Sequence, residues 1–366
     1  MAQVGVVFGG RSVEHQVSVN SARAVARGLR AAGHGVTALG IAEDGCWVEP
    51  ALGAAVLDGE QRAIPPVGTP IAPTLAVLLG AVAAGVEVLF PIVHGSWGED
   101  GSLQGLCEML DLPYVGPGVT ASAVAIDKLF TKRLLAAAGL PVLPCEAASR
   151  QEVAEQLPAV LARCERLPLP LFVKPRSGGS SVGVRRVDDR GSLADALRFA
   201  LRFDEGVLVE RGVQGRELEC AVLGHEHIEA SAIGEIVPKS GFYDYAAKYL
   251  DDSARLVAPA ELPESLAATL RRLAAAAFAA VGGSGLARVD FLVEQGADIG
   301  DGGGGVHVNE INTLPGFTAI SMYPRLWELS GLPLPQLTDR LVAIAQRRHA
   351  DRRRLDAGIK SWLAEL

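Results

Sequence analysis

The 366-residue sequence contains no C-x-x-C pair, and its five cysteines (Cys46, Cys107, Cys145, Cys164, Cys220) are odd in number and scattered. That argues against a disulfide framework or a zinc site and leaves reduced, buried thiols as the expectation. No run of the roughly 18–20 apolar residues needed to cross a bilayer is present; the richest stretch, Ile71 to Phe90, is broken by Pro, Gly and Glu87. The opening MAQVGVVFGG lacks a basic region and a cleavage site, so it does not read as a signal peptide and a cytoplasmic protein is expected. Basic residues are the minority. With 34 Lys and Arg against 42 Asp and Glu, the net charge of −8 disfavours non-specific nucleic-acid binding. Forty-two glycines without a G-X-Y period exclude collagen. A Walker A loop is absent, and the first strand is not followed by G-x-G-x-x-G, which counts against a Rossmann-type dehydrogenase.

What is present is a folded chain, 49% hydrophobic and 21% charged, long enough for two or three domains. Gln3–Phe8, an amphipathic Val19–Ala32, Val36–Ile41 and Val86–Val93 alternate strand and helix signals, which predicts a parallel sheet flanked by helices. Pro65–Pro73 reads as a surface connection. The turn cluster Tyr114–Gly118 closes a first domain, 1–118. A second, 119–210, is an α+β unit: a helix Ala121–Ala138, a strand Leu171–Lys174, a Gly/Ser loop, a strand Val182–Val187, a helix Ser192–Leu201 and a strand Val207–Glu210. The third, 211–366, has strands Glu217–Leu223 and Ala230–Ile236, an irregular stretch Pro238–Pro259 and an Ala-rich helix Pro263–Val281. Strands Leu286–Glu294 and Gly305–Ile311 then flank Gly296–Gly304, which reads as a hairpin tip. Arg347, Arg348, Arg352, Arg353 and Arg354 in the terminal helices read as a solvated face.

Four segments can carry chemistry. In Lys174-Pro-Arg-Ser-Gly-Gly-Ser-Ser-Val-Gly183 a strand delivers a lysine to a loop of glycines and serines. Such a loop can cradle phosphate oxygens with amides and hydroxyls; a flexible hairpin after a lysine is the alternative. Arg288 and Asp290 share one strand face by the period of two, as do Glu310 and Asn312 on the expected neighbouring strand. Two carboxylates and an amide make an oxygen-rich site suited to Mg²⁺, and the arginine can steady a developing oxyanion; two polar edge strands are the alternative. Thr313–Ser321 follows directly and offers backbone amides for a carboxylate or a tetrahedral oxyanion; a Pro-Gly turn followed by a helix is the alternative. Gly9–Ser18 lies beyond the first strand, where ligands of open α/β sheets sit. There Glu14 is either a ligand for an ammonium group or an exposed first-turn glutamate. His94–Gly101 ends another strand in the same manner.

Together these segments resemble the ATP-grasp superfamily and, more closely, the D-alanine–D-alanine ligases. Matching pieces span Gly9–Ser18, His94–Gly101, Lys128, Lys174–Gly183, Glu210–Glu217, Phe242–Tyr249, Arg288–Asp290 and Glu310–Ser321, in the family's order over nearly the whole chain. The resemblance implies a three-domain α/β and α+β ATP-grasp architecture with a parallel-sheet N-terminal domain. It implies ATP between the second and third domains, with Lys128 and Lys174 on the phosphates, Glu210 and Val213 at the adenine, Glu217 on the ribose and Lys248 at the γ-phosphate. Asp290, Glu310 and Asn312 would bind two Mg²⁺ ions, with Mn²⁺ an alternative. Glu14, linked to Ser180 and Tyr249, would hold the first D-alanine's ammonium near His94; Arg288 and the Gly316 amide would stabilise the tetrahedral intermediate, and Ser321 would bind the second substrate's carboxylate. Ligation through an acyl phosphate follows, with 238–259 as a lid, D-alanine and ATP as partners and a homodimer as the assembly. D-alanine–D-lactate and D-alanine–D-serine ligation are the rival activities. Phe242–Tyr249 favours the dipeptide-forming type. A non-catalytic nucleotide-binding protein is disfavoured by the acid–amide–arginine set. The sequence departs from relatives at Arg176-Ser-Gly-Gly, at Trp97 and in the Gly296–Gly304 insertion.

Overall fold

The computed structural model describes residues 1–238, 254–296 and 305–365. Three sheets organise them. β1 (Gln3–Gly9), β2 (Gly35–Ile41) and β3 (Val88–Pro91) form a parallel sheet in the order β2-β1-β3. β1 is buried from Val4 to Gly9, as a strand covered on both faces should be. The helix His15–Ala31 and the C-terminal helix Leu334–Ala364 pack on one side; the other packs on Ala76–Ala83 and Ser102–Met109. Gly28 permits the close approach of that C-terminal helix, since a Cβ there would lie 3.0 Å from Leu334 and Thr338.

The second sheet is antiparallel: β4 (Cys145–Ser149), β5 (Leu171–Pro175), β6 (Arg185–Val187) and β7 (Gly206–Arg211), ordered β4-β7-β5-β6. The third contains β8 (Gly215–Gly224), β9 (Ile228–Pro238), β10 (Ala254–Val257), β11 (Gly285–Glu294) and β12 (Val306–Asn312), ordered β10-β9-β8-β11-β12. Alternation along this sheet builds the site. Leu218, Cys220 and Val222 of β8, with Val289, Phe291 and Val293 of β11, face the helix Glu264–Ala280. On the opposite face, Ala221, Leu223 and Leu286 join the core of the first sheet, while Glu217, Glu219, Arg288 and Asp290 line a cavity. One face is therefore apolar where two units meet and charged where a cleft opens.

The predicted helix Ala121–Ala138 is two helices, Val119–Ile126 and Lys128–Ala137. Asp127 breaks them: it takes an extended conformation, and its carboxylate caps the N–H groups of Leu129 and Phe130. The predicted strand Val182–Val187 shrinks to Arg185–Val187, because Ser180, Ser181 and Gly183 have positive φ and leave the ladder. The stretch Pro238–Pro259 is not irregular at its described end: Ala254–Val257 is a strand, and Ala254 pairs with Pro238. Residues 239–253, with Lys248, Tyr249 and most of the expected lid, lie outside the described residues. β11 and β12 are antiparallel neighbours, as a hairpin requires; residues 297–304 of its glycine tract are likewise outside. Arg347, Arg352, Arg353 and Arg354 are exposed as expected. Arg348 is not: it donates to the carbonyls of Tyr114 and Gly116 and stacks 4.2 Å from the Tyr114 ring. All five cysteines are free, four of them buried and Cys145 half-buried. Among the described residues no helix is long and apolar enough to cross a membrane.

Candidate active site

Fourteen of the sixteen predicted site residues are described, and all fourteen line one cavity of about 340 Å³. Its floor is the charged face of the five-stranded sheet. Antiparallel register places Asp290 opposite Glu310 and Arg288 opposite Asn312. Nε and Nη2 of Arg288 each donate to Asp290 at 2.7 Å, and the Asn312 amide donates to the same carboxylate at 2.9 Å. Glu219 sits 3.1 Å from Arg288 on the other side. Burial pulls the guanidinium's pKa down, but these carboxylates more than offset it and hold it well above the ordinary value.

The register shifts between Asp290 and Phe291, so Asn309 is an extra residue in β12. This bulge turns Asn309 into the same cavity as Glu310, leaving its buried Oδ1 without a hydrogen-bond partner. The donor set of Asp290, Glu310, Asn312 and an orphaned amide oxygen is all hard oxygen with two negative charges, which fits Mg²⁺. Among the described residues no cluster of three His, Cys, Asp or Glu forms a metal site without such amides.

One wall is the glycine/serine loop. Lys128 Nζ donates to the Gly178 carbonyl at 2.5 Å, and the Lys128 amide donates to Arg176 at 2.9 Å. Arg176 pairs with Asp127 at 2.6 Å and stacks on Phe130, so it clamps the loop to the helix cap. Ser180 is held at φ 53° and donates to Glu14 Oε1 at 2.5 Å, joining this loop to the one after β1. Lys174 and Glu210 face each other across β5 and β7 as an ion pair. Glu217 and Val213 line the cavity beyond them.

The opposite wall is a network between the first sheet and the segment after β12. His94 is buried, with Nδ1 2.8 Å from the Leu314 carbonyl and Nε2 3.1 Å from Ser21 Oγ, which accepts the Phe317 amide at 3.0 Å. Burial holds the imidazole below its ordinary pKa. Gly316 lies where a Cβ would stand 2.7 Å from Ser321 Oγ, so only glycine fits without a shift. Ser321 accepts the Thr318 amide at 3.0 Å and precedes the helix Met322–Leu329. Trp97 remains exposed, beneath Arg11.

Residue-by-residue sequence reasoning missed Glu99, Glu219, Ser21, Asn309 and Lys132. Glu219 was available from Glu217 by the period of two; the others depend on distant contacts. Glu99 accepts the amides of Gly95 at 3.0 Å and Leu314 at 3.3 Å. Burial, then the charge of Glu14, push its carboxyl up to about 8. The folded chain therefore keeps a proton that an unfolded carboxyl releases near its ordinary 4.5. Stability from this group is complete at low pH and is lost as pH rises from there towards 8. Glu99→Gln, which cannot ionise, is expected to gain on the wild type between pH 5.5 and 8.5, at roughly 1–2 °C of melting temperature per kcal/mol. An identical difference in melting temperature at both pH values would refute the shift.

Comparison with known proteins agrees with this geometry. The family model described as D-ala D-ala ligase N-terminus matches residues 3–117, and D-ala D-ala ligase C-terminus matches residues 134–343. The chain is 42% identical to a D-alanine–D-alanine ligase of Solibacter usitatus, over 95% of this chain and 96% of that one. The D-alanine–D-alanine ligase structure from Coxiella burnetii superposes with a TM-score of 0.81 at 35% identity, covering 99% of both chains. The VanG D-Ala:D-Ser ligase of Enterococcus faecalis gives 0.78 at 30% identity, covering 94% of this chain and 99% of that one.

Proposed function

Because the chain belongs to the D-alanine–D-alanine ligase family, we propose how its residues divide the work of that reaction. The protein is an ATP-dependent ligase of ATP-grasp fold that joins two D-alanine molecules into the dipeptide used for cell-wall precursors. A carboxylate is a poor electrophile. The first D-alanine's carboxylate oxygen attacks the γ-phosphorus of ATP, and ADP leaves. The second D-alanine's amine, having lost a proton, then attacks the acyl phosphate carbonyl, and inorganic phosphate departs as the peptide bond forms. The curated relatives carry the D-alanine–D-alanine name, and the VanG likeness at 30% identity does not favour D-serine.

In our reading Lys128 and Lys174 bind phosphates, Glu210 and Val213 the adenine, and Glu217 the ribose. Glu14, oriented by Ser180, takes the first substrate's ammonium beside His94. Arg288 and the Gly316 amide receive the oxyanion, and Ser321 the second carboxylate. Lys248 and Tyr249 complete the set from outside the described residues. Asp290, Glu310 and Asn312 would hold Mg²⁺, two ions in our reading, with Mn²⁺ as substitute; the metal supplies charge neutralisation at the transferring phosphoryl group. We further read domains 1–118, 119–210 and 211–366, a homodimer, and a cytoplasmic location.

The observation that carries this assignment is the meeting of Asp290, Glu310 and Arg288 with Lys174 and Glu14 in one cavity. A coupled phosphate-release assay with D-alanine, D-lactate, D-serine and L-alanine tests it. Mg²⁺-dependent release with D-alanine, accompanied by dipeptide, is expected, with L-alanine inert. Nucleotide binding without D-alanine-dependent release would instead identify a non-catalytic binding protein.

A further inference from the structure

Glu210 is enclosed by two lysines, and they reach it from different places. Lys174 comes from β5: the register Lys174↔Leu208 and Phe172↔Glu210 puts Lys174 and Glu210 on one face as diagonal neighbours. Lys132 comes from the helix Lys128–Ala137, one turn beyond Lys128, with Nζ 2.5 Å from Glu210 Oε1. Lys132 and Glu210 are only 3% and 1% exposed. Lys174 and Glu210 line the proposed nucleotide cavity, whereas Lys132 lines a separate cleft between its own helix and strands β4 and β7. It therefore reaches Glu210 from behind.

We propose that Lys132 is a positioning residue: the standing counterion of Glu210 that frees Lys174 to leave for the phosphates of ATP. This rests on the reading above in which Lys174 binds phosphate. A carboxylate as deeply buried as Glu210 cannot lose its only cation without a large desolvation penalty. With Lys132 in place, Lys174 can turn towards a phosphate while Glu210 stays ionised and available to accept from the adenine amino group. Without Lys132, binding ATP must either strand Glu210 or forgo the lysine–phosphate contact. Consistent with a permanent ion cluster, burial pushes the Glu210 carboxyl up, but the two lysines overcome it and bring it down to about 2.

The test is calorimetric binding of a non-hydrolysable imido analogue of ATP, with KM and kcat for both substrates alongside. Lys132→Met is expected to weaken analogue binding and raise KM for ATP by about tenfold, with KM for D-alanine unchanged. Lys132→Arg, which keeps the charge, should restore affinity. Should Lys132→Met fail to fold, Lys132→Gln, which stays polar but carries no charge, serves in its place, with the same weakening expected. Lys174→Met is the reference. If it loses affinity while the uncharged Lys132 variant stays within twofold of the wild type, the counterion role is wrong and the phosphate reading stands. If Lys174→Met itself binds normally, the phosphate reading falls and the inference with it.

Discussion

Arg288→Met should lose at least about a thousandfold in kcat, the upper range for removing one oxyanion-stabilising group. The guanidinium is fixed along one edge by two 2.7 Å bonds to Asp290 and lies 3.1 Å from Glu219. It has little freedom to reorganise, which is what makes a charge effective against a transient oxyanion. Its removal has a second consequence, because Asp290 and Glu219 lose their shared cation. Breaking a buried pair costs about 3–5 kcal/mol, so a clear fall in melting temperature should accompany the kinetic loss. Arg288→Lys separates the two effects. An ammonium restores charge, and with it part of the stability, but not the two-pronged contact that orients the group. Its kcat is expected to stay nearer to Met than to wild type. Activity of Arg288→Met within tenfold of wild type would remove Arg288 from the chemical step.

Glu310→Gln should show the opposite pattern, with activity lost and the fold kept. Glutamine has nearly the volume of glutamate, and the change removes one of two carboxylates placed opposite each other on neighbouring strands. The unliganded fold loses a repulsion with Asp290 but also the attraction of Glu310 for Lys174 and Arg288, so melting should change little. Metal binding at the proposed site, in contrast, would lose a charged ligand. The Mg²⁺ concentration for half-maximal activity is expected to rise by at least about tenfold to a hundredfold, the size seen even for groups behind the ligands. The Mg²⁺-induced rise in melting temperature should shrink in parallel. Turnover and Mg²⁺ dependence like wild type would show that Glu310 is not a ligand. Comparing the two variants distinguishes an acid that matters through a metal from an arginine that matters through its own charge.

Much of this site was legible without coordinates. The period of two along β11 and β12 sufficed to put Arg288 with Asp290 and Glu310 with Asn312, and the register bears out their facing positions. The glycines and serines after Lys174 announced a loop of unusual backbone, which the positive φ values at Gly178, Ser180, Ser181 and Gly183 display. What local pattern missed is instructive. A bulge adds one residue to a strand without altering its composition, so the alternation of β12 does not reveal that Asn309 joins Glu310 in the cavity. Asp127 interrupts what reads as one helix, Ala121–Ala138, because its capping bonds compete with helical continuation. Arg348 was read as solvated, yet it binds carbonyls more than two hundred positions earlier.

Alternation, turn chemistry and the order of short motifs are properties of neighbouring residues, and they settled which side chains each strand presents and to what kind of chemistry they suit. The pairing of Lys132 with Glu210 and of His94 with Leu314 was decided by packing. Leu223 and Leu286 share a core with Val6, Phe8 and Leu341, and burying that apolar surface brings the first sheet against the third. Their charged ends are thereby forced to face each other across one cleft. Hydrophobic burial has no directional preference of its own, so a one-dimensional pattern can name the surfaces that must be covered, while only the assembled layers determine which charge meets which.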